Sequence, residues 1–237
     1  MIDINFHLLA DEDSKQRFQQ HSQLLQQQSY VQNFSTIDGQ LSIYRHPEVF
    51  VRTAEQIVSI NPHLGGPLKH FVQAAGPQVR IHCFEERSNQ YAALCRNLLH
   101  WHIEPYVVPV CAGIWSESGL LTVNHMGHSG AMYFPEIITA ASADRATVRE
   151  AYYAYRLDDY LASQSFRPSL IECGRPGLAR AVIQGAKQTI QQLKPRLILV
   201  DSPSCSWLKE VKEWVPEYRV FYSECGRKKS GAFLLTL

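Results

Sequence analysis

The chain has 237 residues, 45% of them hydrophobic, with 23 Lys and Arg against 22 Asp and Glu and a formal net charge of +1. That length and apolar content suit one α/β domain with a sizeable core. The charge balance argues against an electrostatic nucleic-acid binder, and no apolar run approaches transmembrane length. Six cysteines, at 83, 95, 111, 173, 205 and 225, form no CxxC pair and mostly sit in apolar runs. That is the pattern of reduced, buried thiols and not of disulfides or a zinc site. Met1–Phe6 has no basic segment followed by an apolar core, so no secretory signal is expected and a cytoplasmic protein is.

In chain order, Asp13-Ser14 is placed to cap a helix over Lys15–Tyr30, a Gln-rich stretch with Phe18, Leu24 and Leu25 as its apolar positions. Residues 1–38 read as an N-terminal helical extension and 39–237 as the main domain. Gly39–Val51 suggests short strands or an ordered lead-in. Gln56–Ile60 is a strand ending in Asn-Pro. Pro67–Ala75 is a helix, with Leu68, Phe71, Val72 and Ala75 at helical spacing, and Gly76-Pro77 breaks it. Val79–Phe84 is a strand, Ser88–His100 a helix, Tyr106–Cys111 a strand and Leu120–Val123 a short one. Arg145–Leu161 is expected to be helical, Leu170–Cys173 a strand, Leu178–Leu193 one helix, Arg196–Asp201 a strand and Trp207–Trp214 a helix. Tyr218–Ser223 and Ala232–Leu237 close the chain as strands around a basic turn, Arg227–Gly231.

Strands alternating with helices of this length imply crossover units. The fold expected is α/β, a Rossmann-like three-layer sandwich with a mostly parallel sheet and an antiparallel edge strand. Ligands of such sheets bind at the carboxyl ends of the strands. For a nucleoside ligand two places matter there. One is the turn after the first strand, here Asn61-Pro62-His63-Leu64-Gly65-Gly66. The other is an acidic residue at the tip of the second strand, here Glu85, whose carboxylate can accept both ribose hydroxyl protons. Asp201 also ends a strand and is a candidate for the edge of the site.

The order of short motifs over residues 41–237 resembles the FkbM-type methyltransferases. Ser59–Gly65 lies on their Asp-x-Gly-x-x-x-Gly turn, and Phe84-Glu85-Glu86 on their Phe-Glu-Pro. Leu94–Leu98, Ala112–Gly119, Gly127–Ala131, Arg156–Leu161, Val182–Ala186 and Lys194–Leu197 follow in the family's order. The resemblance implies a class I fold, S-adenosylmethionine as cofactor, and Ser59, Asn61, His63, Gly65 and Glu85 around it. Two departures stand out. Ser59 replaces the acid of the first turn and Asn61 its first glycine; of that turn only Gly65 keeps its place. The family's Lys-Ile-Asp-x-Glu-Gly falls on Glu172–Gly177 without gaps, leaving only Gly177, or with a short insertion puts Glu172 in place of the Asp.

His125, His128 and Ser129 lie in a loop that lines the active site in FkbM-like proteins, and either imidazole titrates in the range of a general base. With Glu172, these are the catalytic candidates. No Cys/His/Asp spacing resembles a metal site. Asp158-Asp159 reads as an N-cap or a solvated pair. Two functions follow. The first is methyl transfer, to an oxygen of a small molecule, sugar or peptide, with no nucleic-acid partner. The second is a methyltransferase fold without catalysis, acting as a binding or scaffold partner. A homo-oligomer or protein partner would then use the N-terminal helix.

Overall fold

Short runs of β-branched and apolar residues build the strands, and amphipathic segments between them build the helices. The computed structural model describes residues 6–26, 42–125, 148–203, 205–227 and 230–237. Its strands are β1 (Gln56–Ile60), β2 (Arg80–Phe84), β3 (Val107–Val110), β4 (Gly113–Trp115), β5 (Gly119–His125), β6 (Val148–Arg156), β7 (Leu170–Cys173), β8 (Arg196–Asp201), β9 (Arg219–Arg227) and β10 (Ser230–Thr236). Its helices are α1 (Glu12–Gln26), α2 (Gly66–Ala75), α3 (Ser88–His100), α4 (Leu157–Ala162), α5 (Ala179–Gly185), α6 (Lys187–Leu193) and α7 (Trp207–Trp214).

The main sheet has the order β3-β2-β1-β7-β8-β10-β9. β1 pairs in parallel with β2 and β7, β2 with β3, and β7 with β8. This is the mostly parallel α/β sheet expected from the alternation. β10 runs antiparallel to both β8 and β9, so the reversed strand sits one place in from the edge and β9 is the edge. β7 and β8 are buried along their whole length, as parallel strands covered on both faces must be. One face packs Ile57, Ile81, Leu170 and Ile198 with α2 and α3. The other packs Ile60, Phe84, Ile171 and Leu199 with α4, α5, α6 and α7. These two cores make the three layers.

Helix α1 starts slightly earlier than the sequence suggests, because Asp11 takes the capping role: its carboxylate accepts the Ser14 N–H at 2.7 Å. The expected continuation to Tyr30 lies outside the described residues. Phe18 meets the rings of Tyr222 and Phe233 edge-on. The Ser14 hydroxyl accepts the Tyr222 N–H at 2.9 Å, and the Ala10 N–H donates to the Val220 carbonyl. The helix thereby covers strand edge β9, which would otherwise be open to pairing with another chain. Within 39–51, the described residues hold a 3-10 turn, Ser42–Arg45, and no strand. Ile43, Tyr44, Val49 and Val51 are buried there.

Two expectations are corrected. Arg145–Leu161 is not one helix: Val148–Arg156 is strand β6, and among the described residues of that stretch only those from Leu157 on, in Leu157–Ala162, are helical. β6 lies between β4 and β5 in a separate three-stranded sheet. Tyr153 is exposed while Ala154 is buried, the two-residue alternation of a strand, and Val and Tyr suit that pleated surface. Pairing on both sides therefore outweighs any local helical tendency.

Leu178–Leu193 is also not one helix. It breaks at Ala186, which caps α5 with φ −110° and ψ 13°. Gly185 lies against the backbone of Trp115 at the end of β4. Asp158 then starts α6: its carboxylate accepts the N–H groups of Gln188 and Thr189 at 3.0 and 2.9 Å and the Thr189 hydroxyl at 2.8 Å. Asp158 is thus a cap, as the sequence allows, but for a helix whose first bonded N–H, that of Gln188, lies 30 residues onward. Asp158→Ala is expected to lower unfolding free energy by about 2–3 kcal/mol, read by urea denaturation, because it orphans buried donors at a helix start.

Candidate functional site

The candidate site is built where β1, β2 and β7 end side by side. β1 leaves the sheet at Ile60, and the next residues turn sharply. Asn61 and His63 adopt positive φ of 57° and 59°, and Gly65 91°. Such angles are rare outside glycine, and Asn bears them better than most residues. The Gly65 N–H closes the turn on the Pro62 carbonyl at 3.0 Å. Asn97, from α3, donates to the Leu64 carbonyl at 2.8 Å and fixes the turn from outside. Gly65 then leads into α2. A Cβ there would come within 2.8 Å of Leu94 Cδ1, so the missing side chain also lets α2 and α3 approach.

Glu85, the residue after β2, is fully buried. Its Oε2 accepts the His63 N–H at 3.2 Å and Asn61 Nδ2 at 3.5 Å. Its Oε1 is buried with no hydrogen-bond partner among the described residues. Burial, and then the neighbouring Glu86, push this carboxyl up to about 8 from an ordinary value of 4.5. A buried carboxylate oxygen without a donor costs free energy unless a ligand supplies one.

Glu86 extends the cluster. Asn61 Nδ2 donates to its Oε2 at 2.9 Å, and Arg175, in the loop after β7, pairs with its Oε1. The side chains at the ends of three neighbouring strands are thereby tied together. Ser59 and Glu172 face each other in register across β1 and β7. Ser59 Oγ donates to Glu172 Oε2 at 2.7 Å, and the Tyr44 hydroxyl donates to Oε1 at 3.0 Å. Both Ser59 and Glu172 are fully buried.

The structure thus joins Asn61, His63 and Glu85 in one set of hydrogen bonds and Ser59 with Glu172 in another. The backbone of His125 closes β5, opposite Val148. His128 lies outside the described residues. Asp201 is taken up structurally: it accepts the N–H groups of Gly177 and Ser202 and the indole N–H of Trp207. Sequence reasoning did not single out Glu86, Arg175 or Tyr44. The one signal for Glu86 and Arg175 is that each stands inside a motif segment at a departure from the family pattern.

Among the described residues, no three His, Cys, Asp or Glu side chains gather as a metal would require. No described helix is long and apolar enough to cross a membrane.

No protein-family model matches the chain, and no curated protein matches it in sequence. In fold it is similar to the crystal structure of methyltransferase FkbM from Methylobacillus flagellatus KT. The TM-score is 0.70 at 12% identity, covering 99% of this chain and 58% of that one. This chain therefore spans less than two thirds of that protein's structure. It is also similar to Aeropyrum pernix fibrillarin in complex with natively bound S-adenosyl-L-methionine, with a TM-score of 0.52 and 9% identity, covering 84% of this chain and 74% of that one. The FkbM resemblance carried by the sequence motifs thus reappears in the fold.

Proposed function

We propose that this chain is an S-adenosylmethionine-dependent methyltransferase acting on an oxygen of a small molecule, sugar or peptide. The observation that carries the reading is Glu85: a carboxyl at the tip of β2 with one buried oxygen that has no hydrogen-bond partner among the described residues. A ribose supplies two hydroxyl donors, so the chemistry of the residue fits the nucleoside part of that cofactor. The turn from Ser59 to Gly65 would border the methionine part. Glu172, with a bond to each oxygen and no exposed surface, fits a positioning role beneath the turn. His125 and His128 remain the candidates for taking the proton of the acceptor hydroxyl.

The cofactor, when bound, supplies a methyl group activated on a sulfonium. The protein's share is then mainly to orient donor and acceptor, which needs few catalytic side chains. The near-neutral charge fits an acceptor other than nucleic acid. A partner or second copy held through α1 would meet its polar side, since Ser14 and Phe18 already face the sheet.

One observation favours the second reading, a methyltransferase fold without catalysis. Asn61 stands where the family has glycine, and its side chain reaches Glu85 and Glu86. A single calorimetric titration separates the two. Wild type is expected to give saturable heat with S-adenosylmethionine and S-adenosylhomocysteine, and Glu85→Ala none. Silence from wild type at millimolar ligand would reject the enzyme. Binding untouched by Glu85→Ala would place the cofactor elsewhere.

A further inference from the structure

The opposite end of the main sheet, where the parallel strands begin, has a different charge. Arg80 opens β2 in register with Gln56, the first residue of β1. The Gln56 side chain accepts the Arg167 N–H at 2.7 Å, which holds Arg167 just ahead of β7. Arg52 precedes β1, and its N–H donates to Glu55 Oε2 at 2.8 Å. β2, β1 and β7 are neighbours in the sheet, so the starts of all three lie within about 10 Å. Arg52, Arg80 and Arg167 are exposed. Among the described residues none of them is paired with a carboxylate. Arg80 donates to the Val79 carbonyl, Arg167 to the carbonyls of Gln164 and Phe166, and the Arg52 guanidinium lies over the half-exposed Phe50 ring at 5.9 Å. Glu55, the acid beside them, is already taken: it is buried, accepts the Ser169 hydroxyl at 3.0 Å and pairs with Arg196.

Three like charges this close lie within about one Debye length of each other and act as one positive surface. Burial, and then the charge of Arg52, push the neighbouring Arg196 down to about 10. Gathering guanidinium groups without counter-charges costs self-repulsion, which a negative partner relieves. We propose that this edge is a docking surface for a short acidic segment of a partner protein, whose carboxylates take the guanidinium forks of Arg52, Arg80 and Arg167. Each fork matches a carboxylate with two parallel hydrogen bonds, and the Phe50 ring holds Arg52 in place for one. A nucleic acid fits less well, because tight backbone binding takes about six or more phosphate contacts and this edge offers half as many cations. The surface is at the end of the sheet away from the Asn61–Gly65 turn, so a segment bound there leaves that turn open.

The probe is fluorescein-labelled hexaglutamate, followed by fluorescence anisotropy as the full 237-residue chain is added, over a series of salt concentrations. Wild type is expected to bind it saturably, and more weakly as salt rises. The variant Arg52→Gln/Arg80→Gln/Arg167→Gln should bind about tenfold more weakly, as the loss of several exposed charge contacts predicts. The variant Arg96→Gln/Lys187→Gln/Lys209→Gln removes the same charge from exposed positions elsewhere, and should stay within about twofold of wild type. Amide chemical shifts of the unaltered protein should move at the starts of β1, β2 and β7, a readout that the folding of a variant does not affect. No saturable binding by wild type would overturn the proposal, as would equal losses in the two variants or shifts centred elsewhere. Tighter binding of hexathymidylate than of hexaglutamate would overturn it in favour of a nucleic acid.

Discussion

Glu85→Gln is expected to melt at a higher temperature than wild type in alkaline solution, to melt with it in acid, and to bind S-adenosylhomocysteine about a hundredfold more weakly. The stability effect follows from the direction of the shift. Burial and Glu86 raise the folded carboxyl to about 8, whereas its ordinary value is 4.5. Below about pH 4.5 both folded and unfolded chains hold the proton, and the site costs nothing extra. As pH rises toward 8 the unfolded chain releases the proton and the folded chain keeps it, so wild-type stability falls. Above 8 both are ionised, and the accumulated loss is on the order of 4–5 kcal/mol at most. The amide is neutral throughout and keeps an oxygen for the His63 N–H and Asn61. The binding effect has a separate origin: the amide has one acceptor oxygen where the ionised carboxylate has two, so one of the two ribose hydroxyls loses its partner, and the loss is largest above pH 8, where wild type is already ionised. Melting curves over a pH series, with a titration at each end, check both halves. Wild-type and variant curves that stay parallel at every pH would show that Glu85 carries no such penalty.

The second large effect concerns Gly185→Ala. In an ordinary helix this change is favourable by up to about 1 kcal/mol. Here the new Cβ would lie 2.1 Å from the Trp115 carbonyl oxygen and 3.1 Å from its carbon, with Leu157 N at 3.4 Å. All three are backbone atoms, and none can rotate away. The end of α5 would have to part from β4 and from the start of α4. An unfolding free energy lower by about 3 kcal/mol or more is expected, seen as a fall in the urea midpoint. Gly66→Ala is the internal control. It stands at the first turn of α2 with nothing within 4 Å of its added Cβ, and should be neutral or mildly stabilising. Equal behaviour of the two variants would refute the steric account.

The main sheet was legible because its signals are local. β7, β8, α3 and α7 fall on the residues that hydrophobic runs and helical spacing indicate. The small sheet was legible only in part: the expected strand Leu120–Val123 falls inside β5, but β6 was read as helix. β6 carries Tyr152, Tyr153 and Tyr155 beside Ala154, a pattern that fits neither period cleanly, and its pairing partners β4 and β5 lie across residues 126–147 in the chain. The break at Ala186 was hidden for a similar reason, since it depends on Asp158 and Trp115. In the site, Glu85 could be named from its place after a strand and before a helix. The Arg175–Glu86 pair could not, because it joins residues 89 apart and no local rule links them. Ser59 reads as a lost acid in one dimension. In three, a carboxylate still stands beside it, contributed by Glu172 from the next strand.

The seat of α1 has a consequence for the order in which the molecule assembles. Ser14 meets Tyr222 over a sequence separation of 208 residues. During synthesis the Glu12–Gln26 segment emerges before β9 and β10, so Phe18 has neither the Tyr222 nor the Phe233 ring to pack on until those strands follow. A short helix of this length has little stability in isolation. Its docking therefore belongs to the late, loop-closing stage of folding, which contact order makes slow. Until then Phe18 stays exposed and the edge of the nascent sheet stays open, so the vulnerable interval for self-association ends only when the two distant parts of the chain meet.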